Sequence, residues 1–393
     1  MNELAQRARP AWGAVVSMAL GVFGLVTAEF LPASLLTPMA ADLGITEGMA
    51  GQAVTATAAV ALLTSLLIST ATRRIDRRHV LLGFSALLVA SNLMVAFAPN
   101  LTVLLLGRVL LGMALGGFWT MSIATMMRLV PEDLVPRGLS IMFSGVSAAT
   151  IAAAPLGSYF GDLLGWRDVF RMAALLGVLA LVVQFFTLPR MAPSGQTRLR
   201  TLFDVLVRPR VGLGMLAAAL VFTGHFAFFT YIRPFLETVT GVGVSGVATI
   251  LLGFGVANFA GNYLGGWMVE RSLRMTMISM PLLMGMLGVA LVVLESTPAT
   301  DAALVAVWGL AFGAIPVAWS TWLTRTVPDE AESASGLLVA AINLAIATGA
   351  AVGGLIFDLG GALNVFAASG AVLLLAALMI LTGVRTQPLA TTA

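Results

Sequence analysis

Residues 11–36 read AWGAVVSMALGVFGLVTAEFLPASLL, a run long enough to cross a bilayer that holds a single carboxylate, Glu29. About 20 apolar residues span a hydrocarbon core of roughly 30 Å, and a charge inside such a span costs at least ~2.5 kcal/mol on insertion scales. Something must offset that cost. Either Glu29 lies near the outer end and reaches the headgroups, or it faces a polar interior as a proton or substrate site. Pro32, three residues on, lacks a backbone donor and is expected to loosen the helix above the carboxylate.

The remainder of the 393-residue chain has the same character. It is 59% hydrophobic and 10% charged, against roughly 25% charged in a soluble domain, and its mean hydropathy is +0.99. This is the composition of a polytopic membrane protein. There is no cysteine, hence no disulfide, thiolate nucleophile or thiolate metal site. There is no lysine either, which removes the phosphate-gripping residue of G-x-x-x-x-G-K-[ST] and any ATP loop built on it. With no H-E-x-x-H, no G-x-S-x-G and only His79 and His225, an embedded enzyme has little to work with. No cofactor, metal or nucleic acid is expected. Gly241 to Gly246 fit G-x-G-x-x-G but precede a membrane span without a strand before them, and are a turn.

Hydrophobic segments fall at about 12–36, 48–71, 79–97, 101–126, 137–161, 168–188, 211–236, 245–269, 274–294, 301–324, 332–357 and 361–384, each near the length a tilted helix needs. The first run is too long for the roughly 7–15-residue core of a secretory signal, so it is read as a retained span. An even number of crossings returns the carboxyl terminus to the starting side. Short cytoplasmic loops should hold the arginines. Arg73, Arg74, Arg77 and Arg78 follow segment two, Arg128 and Arg137 segment four, Arg190 to Arg210 segment six, and Arg271 and Arg274 segment eight. Arg325 and Arg385 keep the parity, while the opposite loops hold mainly Asp42, Glu47, Asp162, Asp168, Glu237, Glu295, Asp301 and Asp358, with only Arg167, Arg171 and Arg233 as cations. Both termini are therefore expected in the cytoplasm.

The longest polar stretch, LPRMAPSGQTRLRTLFDVLVRPR at 188–210, reads as a linker. The expected fold is all-α, with a six-helix unit at 1–188, a cytoplasmic linker at 189–210 and a second six-helix unit at 211–393. Internal similarity supports this. Arg128-Leu129-Val130-Pro131-Glu132-Asp133 is answered by Arg325-Thr326-Val327-Pro328-Asp329-Glu330, and Phe118-Trp119-Thr120 by Ala318-Trp319-Ser320. Gly157, Asp162 and Gly165 of segment five match Gly353, Asp358 and Gly361 of segment eleven. Three correspondences in one order argue for duplication and for a substrate held near the midplane between the units.

Segment four places Arg108 inside hydrocarbon. Counted from the outer face, Arg108 and Glu29 lie at one depth, ~12 Å at ~1.5 Å per residue, so a charge pair facing the bundle interior is expected, with outward snorkelling as the alternative. Gly112 and Gly116 permit that helix to pack tightly against the first span. Pro155, within a run of small residues, suits either packing or a hinge. Glu270, Arg271 and Arg274 after Gly265-Gly266 are placed to staple helices on the cytoplasmic side.

These residues resemble the major facilitator superfamily, in its twelve-helix drug–proton antiporter branch, over the whole chain. The loop motif G-x-x-x-[DE]-R appears as Gly266-x-x-x-Glu270-Arg271. In the first half it is degraded to TRRIDRRH, with Arg73 at the acidic position and Asp76 beside Arg77 and Arg78. The resemblance implies gating roles for Arg77, Arg78, Gly266, Glu270 and Arg271, and links Arg108 to proton movement. The antiporter motif of segment five matches only as Ala154-Pro155-Leu156-Gly157-Ser158.

A narrower likeness is to the bacterial purine ribonucleoside efflux pumps. It rests on Ala28-Glu29-Phe30-Leu31-Pro32, Ser34 to Ala40, Ala114 to Trp119, Ala153 to Ser158, Phe226 to Pro234, and Trp319-Ser320-Thr321-Trp322. It implies a bacterial inner-membrane exporter of inosine, guanosine and adenosine in exchange for protons, working as a monomer. His225 departs from the glutamine expected there. A broader multidrug or sugar exporter remains the alternative, and a passive channel is disfavoured by the duplication and the buried charge.

A purine needs flat apolar faces and hydrogen-bond partners in a pocket with few fixed charges. Phe118, Trp119, Phe228, Phe229, Tyr231, Trp319 and Trp322 are candidates for stacking, and Gln52, His225, Asn258, Asn262 and Asn343 for polar edges. Each aromatic equally suits lipid or core packing. Each mid-span amide must bond either substrate or a neighbouring helix, and a lone histidine also serves as a neutral donor.

Overall fold

Where no water reaches, every backbone N–H and C=O must be satisfied within the chain, and the apolar segments accordingly form helices. A computed structural model describes residues 10–131, 134–193, 206–208, 211–295, 297–327 and 331–384. Most of the 189–210 linker, together with Glu132, Asp133, Pro328, Asp329 and Glu330 of the repeated motif, lies outside the described residues.

The helices are α1 (Trp12–Leu43), α2 (Glu47–Ala71), α3 (Arg77–Ala96), α4 (Leu101–Leu129), α5 (Val135–Leu163), α6 (Trp166–Thr187), α7 (Val211–Thr230), α8 (Ile232–Thr238), α9 (Val244–Val293), α10 (Pro298–Thr326) and α11 (Ala331–Gly383). Ten of them, among the described residues, are long and apolar enough to cross a bilayer. Side-chain oxygens start several by accepting a first-turn N–H: Thr46 from Met49 at 3.1 Å, Asp76 from Arg78 at 2.8 Å and Asn100 from Val103 at 3.1 Å. Gly44, left-handed at φ 63°, ends α1 by donating to the carbonyls of Ala40 and Ala41.

Three expectations change. The first helix does not loosen at Pro32: α1 continues through Pro32 and Pro38 to Leu43, seven residues past the expected end at Leu36. Segments eight and nine remain two helices that meet at a kink with no loop between them, together spanning the 50-residue α9, and segments eleven and twelve do the same in the 53-residue α11. At ~1.5 Å per residue each is over twice a ~30 Å core, and each is interrupted once, at Ser272 (φ −161°, ψ 97°) and at Gly361 (φ 75°, ψ −174°). Gly361 supplies a positive φ that a side chain would strain. Third, Gly112 and Gly116 of α4 press on α2, not on α1: a Cβ there would strike the carbonyls of Thr57 and Ala61.

Such close approaches recur along the chain. As Gly112 and Gly116 of α4 meet Thr57 and Ala61 of α2, so Gly309 and Gly313 of α10 meet the carbonyls of Phe254 and Asn258 in α9. As Gly145 of α5 meets the carbonyl of Ala19 in α1, so Gly349 of α11 meets that of Thr223 in α7 at 2.6 Å from its ideal Cβ. One buried apolar cluster is built mainly from α7 to α11, and two others lie within residues 14–191. Helices α2 and α11 pack together, as do α5 and α9, joining the earlier and later parts of the chain.

The ends of the bundle differ in charge. At one, Arg77 N–H donates to the carbonyl of Met191 at 2.9 Å, Arg128 to that of Ala192 at 2.7 Å, and Arg274 to that of Leu381 at 3.3 Å. At the other lie Asp42, Asp162, Glu237, Asp301 and Asp358.

Candidate functional site

A cavity of about 370 Å³ lies between α1 and α5 on one side and α7, α9 and α10 on the other. Seven phenylalanines line it: Phe30, Phe143, Phe226, Phe229, Phe254, Phe259 and Phe312. Its polar lining is Ser147, Thr150, His225, Asn258, Asn262 and Ser320, with no charged side chain among the described residues. Of the residues singled out from sequence, His225, Phe229, Asn258 and Asn262 meet here. Such walls suit a flat, neutral molecule with several hydrogen-bonding edges.

The cavity forms because small residues let backbones close around it. Gly313 of α10 rests on Asn258, and the Asn258 amide donates to the carbonyl of Gly309 at 3.3 Å, tying α9 to α10. His225 of α7, only 2% exposed, lies flat against Phe312, with ring centroids 3.3 Å apart and planes 4° from parallel. Phe30 of α1 meets Phe229 of α7 edge-on at 5.4 Å.

Eight other candidates do not line the cavity, Gln52 and Phe118 among them. Trp119 stands behind it, stacked on Phe143 at 6.0 Å. Phe228 is fully buried against Trp308 at 3.8 Å. Tyr231, also fully buried, donates its hydroxyl to the carbonyl of Ala350 at 2.9 Å. Trp319 and Trp322 pack edge to face at 5.4 Å in the core, and Asn343 donates to Val339 one turn back on its own helix at 2.9 Å. Sequence reasoning passed over Phe143, Phe254 and Phe312, because a phenylalanine in an apolar helix carries no mark of the face it takes.

Arg108 is fully buried, and carbonyl oxygens hold it instead of a carboxylate. Its guanidinium donates to Ala28 at 2.8 Å, Ala53 at 3.2 Å and the main-chain oxygen of Glu29 at 3.5 Å. The expected charge pair thus persists as an electrostatic interaction between Arg108 and Glu29 without direct contact, and the guanidinium also clamps the α1 and α2 backbones. Glu29 as a residue is half-buried, and its carboxylate forms no hydrogen bond or close ion pair among the described residues, Arg108 acting on it through space. Its chain neighbour Phe30 lines the cavity; Glu29 itself does not.

At the acidic end, four side-chain bonds join the earlier and later parts of the chain. Arg233 of α8 donates to the carbonyl of Ser34 at 2.6 Å and to Asp162 at 3.3 Å, while Glu237 braces it at 2.7 Å. Asp358 accepts from Thr46 at 2.9 Å and from the N–H of Gly48 at 3.2 Å.

The residues expected to gate the arginine-rich end are differently employed. Arg77 donates to Thr72 Oγ1 at 3.2 Å and Arg78 to the carbonyl of Phe185 at 2.6 Å. Asp76, which accepts the N–H groups of Met191 at 3.0 Å and Arg78 at 2.8 Å, titrates below the usual carboxylate range because those amides stabilise its charge. Pro155 sits inside an uninterrupted α5, and Gly157 lets α5 approach Ser34. A Cβ on Gly266 would meet open space. The Glu270-Arg271 staple does not form: Arg271 lies over Trp267 of its own helix at 3.7 Å, and Glu270 forms no ion pair among the described residues. Arg274, through Leu381, makes the helix-to-helix tie.

Known proteins show the same fold and sequence pattern. The family model of the Major Facilitator Superfamily matches residues 18–338 and 234–392. The purine ribonucleoside efflux pump NepI of Salmonella paratyphi C (strain RKS4594) is 47% identical over 382 residues, which cover 97% of this chain and 96% of that protein. NepI of Salmonella typhimurium (strain LT2) matches equally. Among solved structures, a bacterial homolog of the human lysosomal transporter Spinster superposes with a TM-score of 0.75 at 16% identity, over 96% of this chain and 97% of that one. A POT family transporter in complex with 5-aminolevulinic acid gives a TM-score of 0.78 at 13% identity, with the same coverage.

Proposed function

Because the chain belongs to the major facilitator superfamily and is a multi-pass membrane transporter, we propose that it exports purine ribonucleosides in exchange for protons. The observation that carries this reading is the uncharged, phenylalanine-walled cavity between the earlier and later helices, in a chain 47% identical to pumps named for those substrates. Inosine, guanosine and adenosine each offer a flat face and a polar edge to such walls.

In this reading α9 and α11 each cross twice, giving twelve crossings in two six-helix units, 1–188 and 211–393, joined by the linker 189–210. The recurring glycine approaches support the duplication. The arginine-rich end faces the cytoplasm of a bacterial inner membrane, by the bias of short loops, and holds both termini. Arg233 and Asp358 latch the outer end. Substrate enters from the cytoplasm, the units rock, and the latch opens to release it. The protein works as a monomer.

Glu29 carries the proton. A carboxylate without a hydrogen-bond partner in α1, within the field of Arg108, can exchange a proton without breaking a hydrogen bond. Its charge then alters how α1 sits against α2 and α4.

The test is uptake of labelled inosine into everted membrane vesicles under an imposed pH gradient. Uphill uptake, blocked by a protonophore and competed by guanosine, is expected. Glu29→Gln is expected to retain exchange of inosine for inosine while losing accumulation. Uptake competed by lipophilic drugs or sugars but not by nucleosides would replace the substrate assignment with broader efflux. Undiminished accumulation by Glu29→Gln would remove Glu29 from proton coupling.

A further inference from the structure

His225 is held in one tautomer by its neighbours. Fully buried Trp308 of α10 directs its indole N–H at His225 Nδ1, 3.2 Å away. An indole nitrogen only donates, so Nδ1 bears the lone pair and the ring proton resides on Nε2. Phe312 covers the ring face at 3.3 Å, and Phe229 and Phe254 lie near-parallel at 5.8 Å and 6.2 Å. Turning the ring over would sacrifice the indole bond. The histidine lines the cavity, and among the described residues Nε2–H finds no acceptor.

Asn258, one helical turn beyond Phe254, has the complementary character. Its partner is a carbonyl, that of Gly309 at 3.3 Å, which only accepts. The amide nitrogen is therefore turned toward α10, and Oδ1 is left as an acceptor on the cavity wall. One uncharged cavity thus carries a fixed donor and a fixed acceptor beside stacked phenyl faces.

We propose that His225 and Asn258 read the lactam edge of a 6-oxopurine, Nε2–H donating to O6 and Oδ1 accepting N1–H. The inference rests on the purine nucleoside reading above. A 6-aminopurine has the opposite polarity along that edge, an exocyclic donor beside a ring acceptor, and would set donor against donor and acceptor against acceptor. An unsatisfied buried polar group costs about 1–3 kcal/mol, so inosine and guanosine should bind about 10- to 100-fold more tightly than adenosine.

The experiment displaces labelled inosine from the purified full-length protein with inosine, adenosine and 1-methylinosine, which lacks N1–H. The wild type should rank 1-methylinosine with adenosine, well below inosine. His225→Phe, which keeps a flat ring and removes the donor, should weaken inosine more than adenosine and narrow the preference to what Asn258 alone supplies. His225→Gln, whose amide both donates and turns to accept, should keep inosine binding and gain adenosine binding, narrowing the preference in the same way. Equal affinity of the wild type for inosine and adenosine, or for inosine and 1-methylinosine, would overturn the lactam reading while leaving purine export standing. No displacement by any purine nucleoside from protein with an intact melting transition would overturn both. The wild-type comparison decides the matter even where a variant does not fold.

Discussion

Arg233 reaches the main-chain oxygen of Ser34 at 2.6 Å, joining the short helix α8 to the middle of α1 across the sequence. With Asp162 and Glu237 on its other nitrogens, each of the three nitrogens of this buried guanidinium donates one bond. Hydrogen bonds to a charged group contribute about 1.5–3 kcal/mol each. A tie of that strength must be broken whenever the acidic end opens.

Arg233→Gln should therefore favour the outer-open form by about tenfold or more, at ~1.4 kcal/mol per decade. The natural chain has no cysteine, so spin labels at Leu164→Cys and Leu294→Cys, in two acidic-end loops, can report it directly. The inter-label distance distribution should gain a longer component. An unchanged distribution would show that this bond does not control opening.

Arg108→Lys should lower the melting temperature in detergent. The arginine fork spans carbonyls on both α1 and α2, whereas an ammonium gathers its donors at one point. The loss of one such bond corresponds to about 1.5–3 kcal/mol. Melting equal to that of the wild type would show that the clamp is dispensable.

Gly116→Ala and Gly313→Ala should each destabilise by about 1–3 kcal/mol, the usual cost of overpacking, because the new methyl meets a facing carbonyl on α2 or α9. Gly266→Ala meets nothing within 4 Å and should be neutral or stabilising by up to about 1 kcal/mol. Thermal unfolding of the three variants separates packing glycines from a free one. Loss of transport by stable Gly266→Ala would instead support its gating role.

Asp76 fastens the segment after α6 to the start of α3 through the Met191 amide. Its carboxylate titrates below the ordinary aspartate value of 3.8, held there by the Met191 amide. The contribution is therefore complete above that value and is lost as pH falls through the depressed one. Hydrogen exchange at Met191 should be slow at neutral pH and accelerate on strong acidification. Asp76→Asn should exchange faster at neutral pH and lose most of that acid dependence.

The charge pattern shows why some of the site was legible in advance. Glu29 and Arg108 stand out because ionised groups are rare in apolar runs, and their helices do meet. Whether the two touch directly or act on each other through space was not legible. A guanidinium satisfied by carbonyls and one satisfied by a carboxylate leave the same mark in a sequence. Likewise the spacing of Gly112 and Gly116 announced a close helix contact, yet nothing in it distinguishes α1 from α2 as the partner.

Hydropathy, arginine parity and internal similarity were enough by themselves to determine an all-helical membrane chain, because apolar length and loop charge act locally along the polypeptide. Only the tertiary structure decided which aromatic rings enclose space. Phe312 lies on His225 while Trp319, seven residues on, is sealed in the core. Two turns of helix separate those fates, and the physical reason is that a cavity is defined by what several helices leave unfilled.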